Sequence, residues 1–563
     1  MKEIMKLNKN NSYLIICSII YGIFTVIGKS YKKVNSWGVI KSNIPFAILE
    51  TIGISAIIYI ILVILKKIYK TIRDSNKNKE KLKKLKINKL FNKYPFIFSM
   101  ISILIGWAIY IVAFYPTIMT IDGYNQLKAF FNIKNYYSDT VILLSENVLL
   151  TNHHPVLHTL LMAGLLKLGR LFGNDNLGLF FYSMVQIIIL SSSLSYTIKY
   201  LKENKVRNRF LYIVLLIYML VPIYGFYAMT ATKDTIYTAL IIFFIIEIHK
   251  FITKNKDKKL KTMQTIKLIT LMIFICLMRN NGIYVVLLTL LVMLQYSKIN
   301  IKKVLISTIT IILLYTTYIN ILLPHFKITS GSIREALSIP FQQTARYIKY
   351  YEKDVTEEER ETINRVLAYD KLKKEYKPEN ADPIKSKYKK QATKEELKQY
   401  FRVWYKQFLK HPDVYVEAFI SNTYGYIYPQ KTEYYIHYED LNNPILKIIA
   451  NFGYMNYREN FLDYSYNNHL GKIRANLVKY AKKFQEIPII ELLVNVGFNT
   501  WILIFIIIYS VCKKKYKNIL VLMPSIVTFL VCLASPINNY LRYALPIIFS
   551  NPMLILLLTK KEE

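Results

Sequence analysis

The sequence is poor in cysteine and glycine, and both shortages exclude classes of protein. Its 563 residues include four cysteines and 17 glycines. The cysteines all fall inside apolar stretches, so they predict no disulfide framework. They are Cys17, Cys276, Cys512 and Cys532. No Gly-rich Walker or dinucleotide-binding loop is present, and we therefore expect no nucleotide cofactor.

Acidic residues are also scarce, because 36 Asp and Glu stand against 75 Lys and Arg, for a net charge of +39. In a soluble protein this balance would suggest nucleic acid as a partner. Here the basic residues lie in short runs between apolar stretches of about 20 residues, which is typical of the cytoplasmic loops of a membrane protein. We expect a lipid bilayer around the chain and no nucleic acid.

The apolar stretches predict an all-α polytopic membrane protein with about 12 transmembrane helices. The first apolar run resembles a signal peptide without a convincing cleavage site, so we predict an uncleaved first helix. The predicted spans are roughly 12–28, 45–66, 95–115, 178–199, 209–226, 235–250, 267–279, 283–297, 304–323, 489–511, 518–535 and 543–559.

Basic loops set the orientation of these spans. The densest basic run, 66–93, is predicted to be cytoplasmic by the positive-inside rule. The apolar stretch 155–173 contains Lys167 and Arg170, and counting it as a span would move every later basic loop to the wrong side. It is therefore predicted to be a juxtamembrane helix on the outer face. One discord is a group of lysines that this orientation places outside: Lys29, Lys32, Lys33 and Lys41.

The composition is typical of an AT-rich bacterial genome, and the predicted location is the bacterial cytoplasmic membrane with one large domain outside. Two capping boxes, at Thr356 and Thr393, predict helices in that domain. The predicted segments are N-terminal transmembrane helices with the basic loop (1–115), the first large extracytoplasmic loop (116–177), a transmembrane core (178–323), an extracytoplasmic helical domain (324–488) and C-terminal transmembrane helices (489–563).

Asp122 is the strongest catalytic candidate. It follows the third span in the string TIDGYNQ, where a carboxylate near the membrane surface could accept a proton from a hydroxyl or an amine. Asp is also a favoured N-cap, and a helix over 123–131 would use it in that way. The membrane-edge position favours a catalytic role, because idle polar groups are costly there.

Three histidines surround the start of the juxtamembrane helix. His153 and His154 precede Pro155, a favoured first residue of a helix, and His158 lies one turn after His154. The last two histidines could hold a divalent metal together with Asp122. Binding of substrate by His153 and His154 is the favoured interpretation, and helix capping is the third.

Three cations fall at the predicted outer ends of spans: Lys233, Arg279 and Arg542. Guanidinium groups suit phosphate, so the three together predict an anion site. Each alone is explained by snorkelling or by ordinary pairing, for example of Lys233 with Asp234. Other predicted substrate-binding residues are Asn280, beside Arg279, and Gln343 and Arg346, which follow the helix breaker Pro340.

Taken together, these residues resemble the site of a known class of membrane enzymes. An acidic residue in the first outer loop, followed by His154-Pro155-Val156-Leu157 at the start of an outer helix, resembles the GT-C class of membrane glycosyltransferases. The strings YPTIMTIDGYNQ, NHHPVLHTLL, TKDTIYTAL, RNNGIY, SIPFQQTARY and SPINNYLRYALP look like an uncharacterised family of Gram-positive membrane proteins grouped with that class. Protein mannosyltransferases carry an Asp-Glu pair where this chain has Asp122-Gly123.

The resemblance implies transfer of a sugar from a polyprenyl-phosphate-linked donor to a cell-envelope acceptor, with Asp122 as the catalytic base. Two other functions use similar residues. A transporter or lipid flippase would line a path with polar groups, and a cell-envelope polymer ligase or polymerase would act on lipid pyrophosphates. The expected cofactor is none, with a divalent metal as the open alternative.

Overall fold

The structure is a computed structural model that describes residues 2–74, 86–135, 148–254, 259–296, 298–432, 436 and 461–559. The middle of the predicted basic loop and part of the predicted helical domain lie outside the described residues.

Helices make up most of the described chain, which confirms the predicted all-α fold. They are α1 (Lys2–Val34), α2 (Gly38–Ser42), α3 (Ile44–Asp74), α4 (Lys86–Lys93), α5 (Pro95–Ala113), α6 (Ile121–Phe130), α7 (Val156–Leu171), α8 (Asp175–Glu203), α9 (Asn208–Leu220), α10 (Pro222–Met229), α11 (Lys233–Lys254), α12 (Thr262–Met278), α13 (Gly282–Tyr296), α14 (Ile301–Thr317), α15 (Leu323–His325), α16 (Ser338–Tyr351), α17 (Glu357–Val366), α18 (Tyr369–Glu375), α19 (Asp382–Lys385), α20 (Lys394–Lys410), α21 (Pro412–Thr423), α22 (Gly471–Phe484), α23 (Val496–Cys512), α24 (Lys517–Leu533), α25 (Leu541–Leu554) and α26 (Leu556–Thr559).

Seven helices in the described ranges are long and apolar enough to cross a membrane, so the chain is a membrane protein. They lie at Asn11–Val34, Ile44–Ile68, Pro95–Ala113, Asp175–Glu203, Lys233–Thr253, Ile301–His325 and Leu541–Leu558. The pair α9 and α10 passes the same test together, although it is bent by 51° where Pro222 begins the second helix.

Two short strands join distant parts of the chain. β1 (Ile118–Met119) pairs in parallel with β2 (Thr230–Ala231), so that Ile118 lies beside Thr230 and Met119 beside Ala231. The Thr120 hydroxyl extends this ladder by donating to the carbonyl of Ala231 at 2.9 Å. The pairing holds the start of α6 against the start of α11, and both helices have charged residues in their first turn.

Helix α7, predicted to be juxtamembrane, packs closely on α8 through two glycines. A Cβ on Gly169 would lie 2.2 Å from the nitrogen of Gly178, a separation that no side chain can occupy. The glycines therefore let the two backbones touch, and this contact sets the angle at which α7 returns to the bundle.

We expect Gly169→Ala to lower the free energy of unfolding by about 1–3 kcal/mol, because the added methyl group overpacks the α7–α8 contact. Thermal unfolding of the purified protein in detergent measures this loss. The control is Gly164→Ala on the same helix, where a Cβ meets nothing within 4 Å. That variant is expected to be neutral or slightly stabilising, since alanine has the higher helix propensity. Equal loss in both variants would contradict the role of the contact.

The predicted extracytoplasmic domain divides into two parts. Helices α16 to α20 have a hydrophobic core of their own, built around Phe341, Ile363 and Tyr400. The later part, including Tyr426 and α22, packs instead into the main core of the bundle. The reason is that Leu477, Val478 and Phe484 on α22 are apolar and lie against bundle helices. We call the unit formed by α16 to α21 the helical domain.

Both predicted capping boxes are confirmed. Thr356 accepts from the amide of Glu359, whose side chain accepts in turn from the amide of Thr356. Thr393 and Glu396 repeat the arrangement at the start of α20. The local sequence decides these helix starts, because both partners lie within one turn.

Candidate functional site

Asp122 is the second residue of α6 and does not cap it. The N-cap is Thr120, whose Oγ1 accepts from the amide of Gly123 at 3.0 Å. The predicted alternative of an Asp122 cap is therefore wrong, and the reason is the β1–β2 ladder, which starts the helix two residues earlier. The carboxylate of Asp122 is left to interact with side chains from other helices.

Asp122 contacts two cations that come from opposite parts of the sequence. Its Oδ2 lies 2.9 Å from Nη1 of Arg542, on α25, and 3.9 Å from Nζ of Lys233, the first residue of α11. Lys233 and Arg542 both stand in the first turn of a helix, where the helix dipole disfavours a positive charge. Their position is therefore a cost, which the nearby carboxylates offset.

A second carboxylate lies behind the first. Oδ2 of Asp234 lies 3.1 Å from Nε of Arg542, and its Oδ1 lies 3.2 Å from Nη1 of Arg279. The Thr232 hydroxyl also donates to Asp234, at 3.0 Å. The Tyr543 ring lies between the two guanidinium groups, 5.3 Å from that of Arg279 and 5.5 Å from that of Arg542. Asp234 thus holds two arginines in place.

These five side chains form what we call the charged cluster: Asp122, Lys233, Asp234, Arg279 and Arg542. Its charges alternate from Arg279 through Asp234, Arg542 and Asp122 to Lys233 and sum to +1. The side chains of Arg279 and Asp234 are 7% and 1% exposed, whereas those of Asp122 and Lys233 are 19% and 14% exposed. Asp122 and Lys233 therefore form the open end of the cluster, and the pair of Asp234 and Arg279 forms its buried end.

The two adjacent histidines lie at the open end. Nζ of Lys233 donates to Nδ1 of His154 at 3.0 Å, and the rings of His153 and His154 are 4.7 Å apart. Burial lowers the pKa of His153 to about 4 and, together with Lys233, lowers that of His154 well below its usual value. Both rings are therefore neutral at physiological pH, and His154 acts as an acceptor for the ammonium group.

His158 belongs to a different set of contacts. Its Nδ1 lies 2.7 Å from Oε1 of Gln126 and its Nε2 lies 2.8 Å from the Tyr182 hydroxyl, so both ring nitrogens are engaged. The pairing of His154 and His158 around a divalent metal does not fit this arrangement. The Lys233 ammonium beside His154 would also repel a dication. Within the described ranges, no group of three or more His, Cys, Asp or Glu is placed to hold a metal.

The loop that contains His153 and His154 is fixed by hydrogen bonds to two other parts of the chain. Nδ2 of Asn280 donates to the carbonyl of Asn152 at 2.8 Å, and the amide of Asn152 donates to the carbonyl of Thr329 at 2.8 Å. A Cβ on Gly331 would lie only 3.2 Å from Cα of His153, so glycine permits this close approach. Asn280, predicted to bind substrate, instead contacts the backbone that positions His153.

Gln343 and Arg346 are not brought to the charged cluster. Gln343 bonds to the carbonyl of Tyr415 and to the Trp404 indole, inside the helical domain. Arg346 pairs with Glu417 at 2.5 Å and donates to the carbonyl of Asn35 at 2.9 Å. Gln343 therefore connects helices within the helical domain, and Arg346 connects this domain to Asn35, just after α1. The structure thus gives these two residues a different place from the predicted substrate site.

Two acidic residues near the site were not predicted as functional. Asp234 is predicted only as a partner of Lys233, although an aspartate at the edge of an apolar helix is costly and therefore indicates a functional site. Glu335 is the second; it pairs with Lys385 at 2.5 Å and with Arg334 at 3.1 Å. Burial favours its neutral form, but Lys385, with a smaller effect from Arg334, holds the pKa of Glu335 at about 2. It therefore faces His153 as an anion.

Stability should fall in mild acid because His153 is buried in its neutral form. Its pKa is lowered from 6.5 to about 4 on folding, so the unfolded chain binds the proton more readily. Stability is complete above pH 6.5 and declines towards pH 4, while Asp122, whose folded pKa lies below its ordinary value, stays charged. Thermal unfolding across this range measures the decline. His153→Gln should make the decline shallower, although the buried His154 still contributes to it, whereas His325→Gln, at an exposed position, should leave it unchanged. An unchanged slope in His153→Gln would contradict the assignment.

The chain was compared with known families, proteins and structures. A family model described as "Family of unknown function (DUF6020)" matches residues 7–563. No curated protein matches the chain, and no solved structure does.

Proposed function

Since the chain belongs to the DUF6020 family, whose function is unknown, we propose its activity from the site: it is a membrane enzyme that transfers a sugar from a polyprenyl-phosphate-linked donor to a cell-envelope acceptor. The observation that carries the proposal is the open end of the charged cluster, where one carboxylate stands beside two cations and two neutral histidines.

Each part of this arrangement suits one part of the reaction. An oxygen of the acceptor attacks the anomeric carbon of the sugar, and the bond from that carbon to the phosphate oxygen breaks. The electron pair leaves with the phosphate, where Arg542 and Lys233 stabilise the developing charge. The proton of the acceptor passes to the carboxylate of Asp122. His153 and His154 orient the substrates. No nucleotide enters this scheme.

The resting cluster restrains Asp122 as a base. Burial alone would raise the pKa of Asp122, but Arg542 and Lys233 lower it well below its ordinary value. A phosphate that takes over one face of Arg542 and Lys233 would weaken their hold on Asp122 and make it more basic. Arg542 would stay in place, because its Nε remains paired with Asp234. Binding of the lipid phosphate thus prepares the base for the acceptor.

The proposed topology has twelve crossings. The seven long apolar helices account for seven of the predicted spans, and the bent pair and four shorter apolar helices fall on the other positions. The four shorter helices are α12, α13, α23 and α24. The basic loops then lie in the cytoplasm, and the charged cluster and the helical domain lie outside, in the bacterial cytoplasmic membrane. The likeness to GT-C enzymes, with Asp122 as base, agrees with this placement.

Transport is the second candidate, and the bent pair α9 and α10 favours it. Transporters use discontinuous helices to build a site within the membrane, and the 51° bend precedes β2 and the cluster directly. In that case the lipid-linked substrate would cross the bilayer unchanged. The alternating ion pairs would then line its path.

The test of the proposal is release of free polyprenyl phosphate. The purified protein is reconstituted in vesicles with a set of polyprenyl-phosphate sugars, and cell-envelope fractions are added as acceptor. Enzymatic transfer produces free polyprenyl phosphate with one of the sugars, whereas movement of intact donor to the other leaflet without release indicates a transporter and rejects the proposal.

Lys233→Gln should slow this release by roughly 10- to 100-fold, because one charge-assisted contact to the phosphate is lost. Mass spectrometry of the released lipid measures the rate. The control is Lys373→Gln, an exposed ion pair of the helical domain, which should leave the rate unchanged. Equal rates in the Lys233 variant and the wild type would remove Lys233 from the phosphate site.

A further inference from the structure

The lysines that the positive-inside rule does not expect lie together at one end of the bundle. Lys32 and Lys33 stand in the last turn of α1, and Lys41 stands in the last turn of α2. Lys29 pairs with Glu50 at 2.5 Å, which accounts for its charge. The other three side chains are exposed. A helix C-terminus favours a cation by about 0.3–1 kcal/mol, too little to explain three of them on the disfavoured side.

This loop is fastened to the helical domain. The carbonyl of Asn35 accepts from Arg346 at 2.9 Å and from the Ser421 hydroxyl at 3.1 Å. The amide of Trp37 donates to Glu417 at 3.3 Å. The three contacts join α1 and the α1–α2 turn to α16 and α21. The helical domain therefore touches the membrane end of the bundle where the lysines lie.

The helical domain also carries an exposed apolar stripe. Phe401, Tyr405 and Leu409 follow one another at every fourth position of α20, and all three are exposed, Leu409 by 61%. The neighbouring stripe of α20 contains Arg402 and Lys406, also exposed. Only His411 separates α20 from α21, and α21 bears exposed Val416 next to Glu417. Along the chain, α21 therefore connects the stripe of α20 to Glu417, which accepts from the loop at Trp37.

We propose that these two features form one surface, the lipid ledge, which binds anionic phospholipid on the outer side of the bilayer. It consists of Lys32, Lys33 and Lys41 with Phe401, Tyr405 and Leu409. The ammonium groups contact the lipid phosphates, and the apolar stripe enters the boundary between headgroups and acyl chains. Trp37, between the lysines, suits the same depth.

Charge complementarity selects this occupant. Lysines beside exposed aromatic and aliphatic side chains are typical of protein surfaces that lie in the interface of an anionic membrane. A soluble protein partner would not explain why the lysines stand at the ends of α1 and α2, close in sequence to the exposed apolar residues Ile44 and Phe46 at the start of α3. The ledge does not depend on the proposed enzymatic function.

The test uses tryptophan fluorescence of the full-length protein in vesicles. Either phosphatidylglycerol or phosphatidylcholine carries a bromine quencher, in otherwise identical equal mixtures of the two lipids. The difference between the wild type and Trp37→Phe isolates the signal of Trp37. We expect brominated phosphatidylglycerol to quench this signal more strongly, and the preference to drop roughly fivefold for each lysine replaced among Lys32→Gln, Lys33→Gln and Lys41→Gln.

A matched triple change keeps the charge difference but moves it to the opposite end of the bundle. Lys205→Gln, Arg207→Gln and Arg209→Gln replace three exposed cations in the α8–α9 turn and at the start of α9, and the lipid preference at Trp37 should persist. An equal loss in both triple variants, or no loss in the first, would overturn the ledge. A third variant replaces Phe401, Tyr405 and Leu409 with serine. It should lower quenching by both lipids, and unchanged quenching would remove the stripe from the surface.

Discussion

Asp122→Asn is expected to lower sugar transfer by about 10²- to 10⁴-fold, because the amide keeps the shape of the carboxylate but cannot accept the acceptor's proton. Asp122 lies at the open end of the charged cluster, where the substrates would meet, and Arg542 keeps its second partner in Asp234. The protein should therefore remain folded. The initial rate of polyprenyl phosphate release in reconstituted vesicles measures the loss.

The control is Asp370→Asn, which removes an exposed carboxylate paired with Arg360 in the helical domain. Its rate should match that of the wild type. If Asp122→Asn retains wild-type transfer while its thermal unfolding is unchanged, another group is the base. If Asp122→Asn loses transfer and its unfolding temperature also falls, Asp122 stabilises the fold and is not assigned as the base.

Asp234→Asn is expected to lower the free energy of unfolding by about 3–5 kcal/mol. The side chain is almost completely buried and pairs with both Arg279 and Arg542. Loss of its charge leaves two buried guanidinium groups with one less anion between them, and breaking a buried pair in this way costs more than the pair itself contributes. Thermal unfolding in detergent and the yield of folded protein both report the effect.

Asp370→Asn again serves as the control, because it changes the same chemical group at an exposed ion pair, where little stability is at stake. A variant of Asp234 that unfolds like the wild type would show that solvent or lipid compensates the arginines. The two predictions separate the ends of the cluster: the open end should affect the rate, and the buried end should affect the fold.

Much of the candidate site could be predicted because charge is costly in an apolar sequence. Lys233, Arg279 and Arg542 each stand at the edge of an apolar helix, and cations in such positions must find partners. Asp122 is the carboxylate that follows the third predicted span, at the edge of the membrane. Their convergence follows from simple electrostatics, and the structure brings all four within one cluster.

The rest depends on contacts that no local pattern contains. Thr120 displaces Asp122 as the cap because β1 pairs with a strand more than a hundred residues away. The ring nitrogens of His158 are occupied by Gln126 and Tyr182, which come from two other helices. Arg346 follows Pro340 at a spacing that suggested a substrate-binding residue. Tertiary packing instead pairs it with Glu417, which is distant in sequence.

Arg542 is separated from Asp122 by 420 residues, and this has a consequence for biogenesis. Asp122, Lys233, Asp234 and Arg279 are synthesised and inserted well before α25 leaves the ribosome. Until then Arg279 and Lys233 are the only cations of the charged cluster available to its two carboxylates. In a partly made chain Asp122 and Asp234 therefore lack the guanidinium group that contacts both of them in the folded protein. Insertion of α25 completes the cluster.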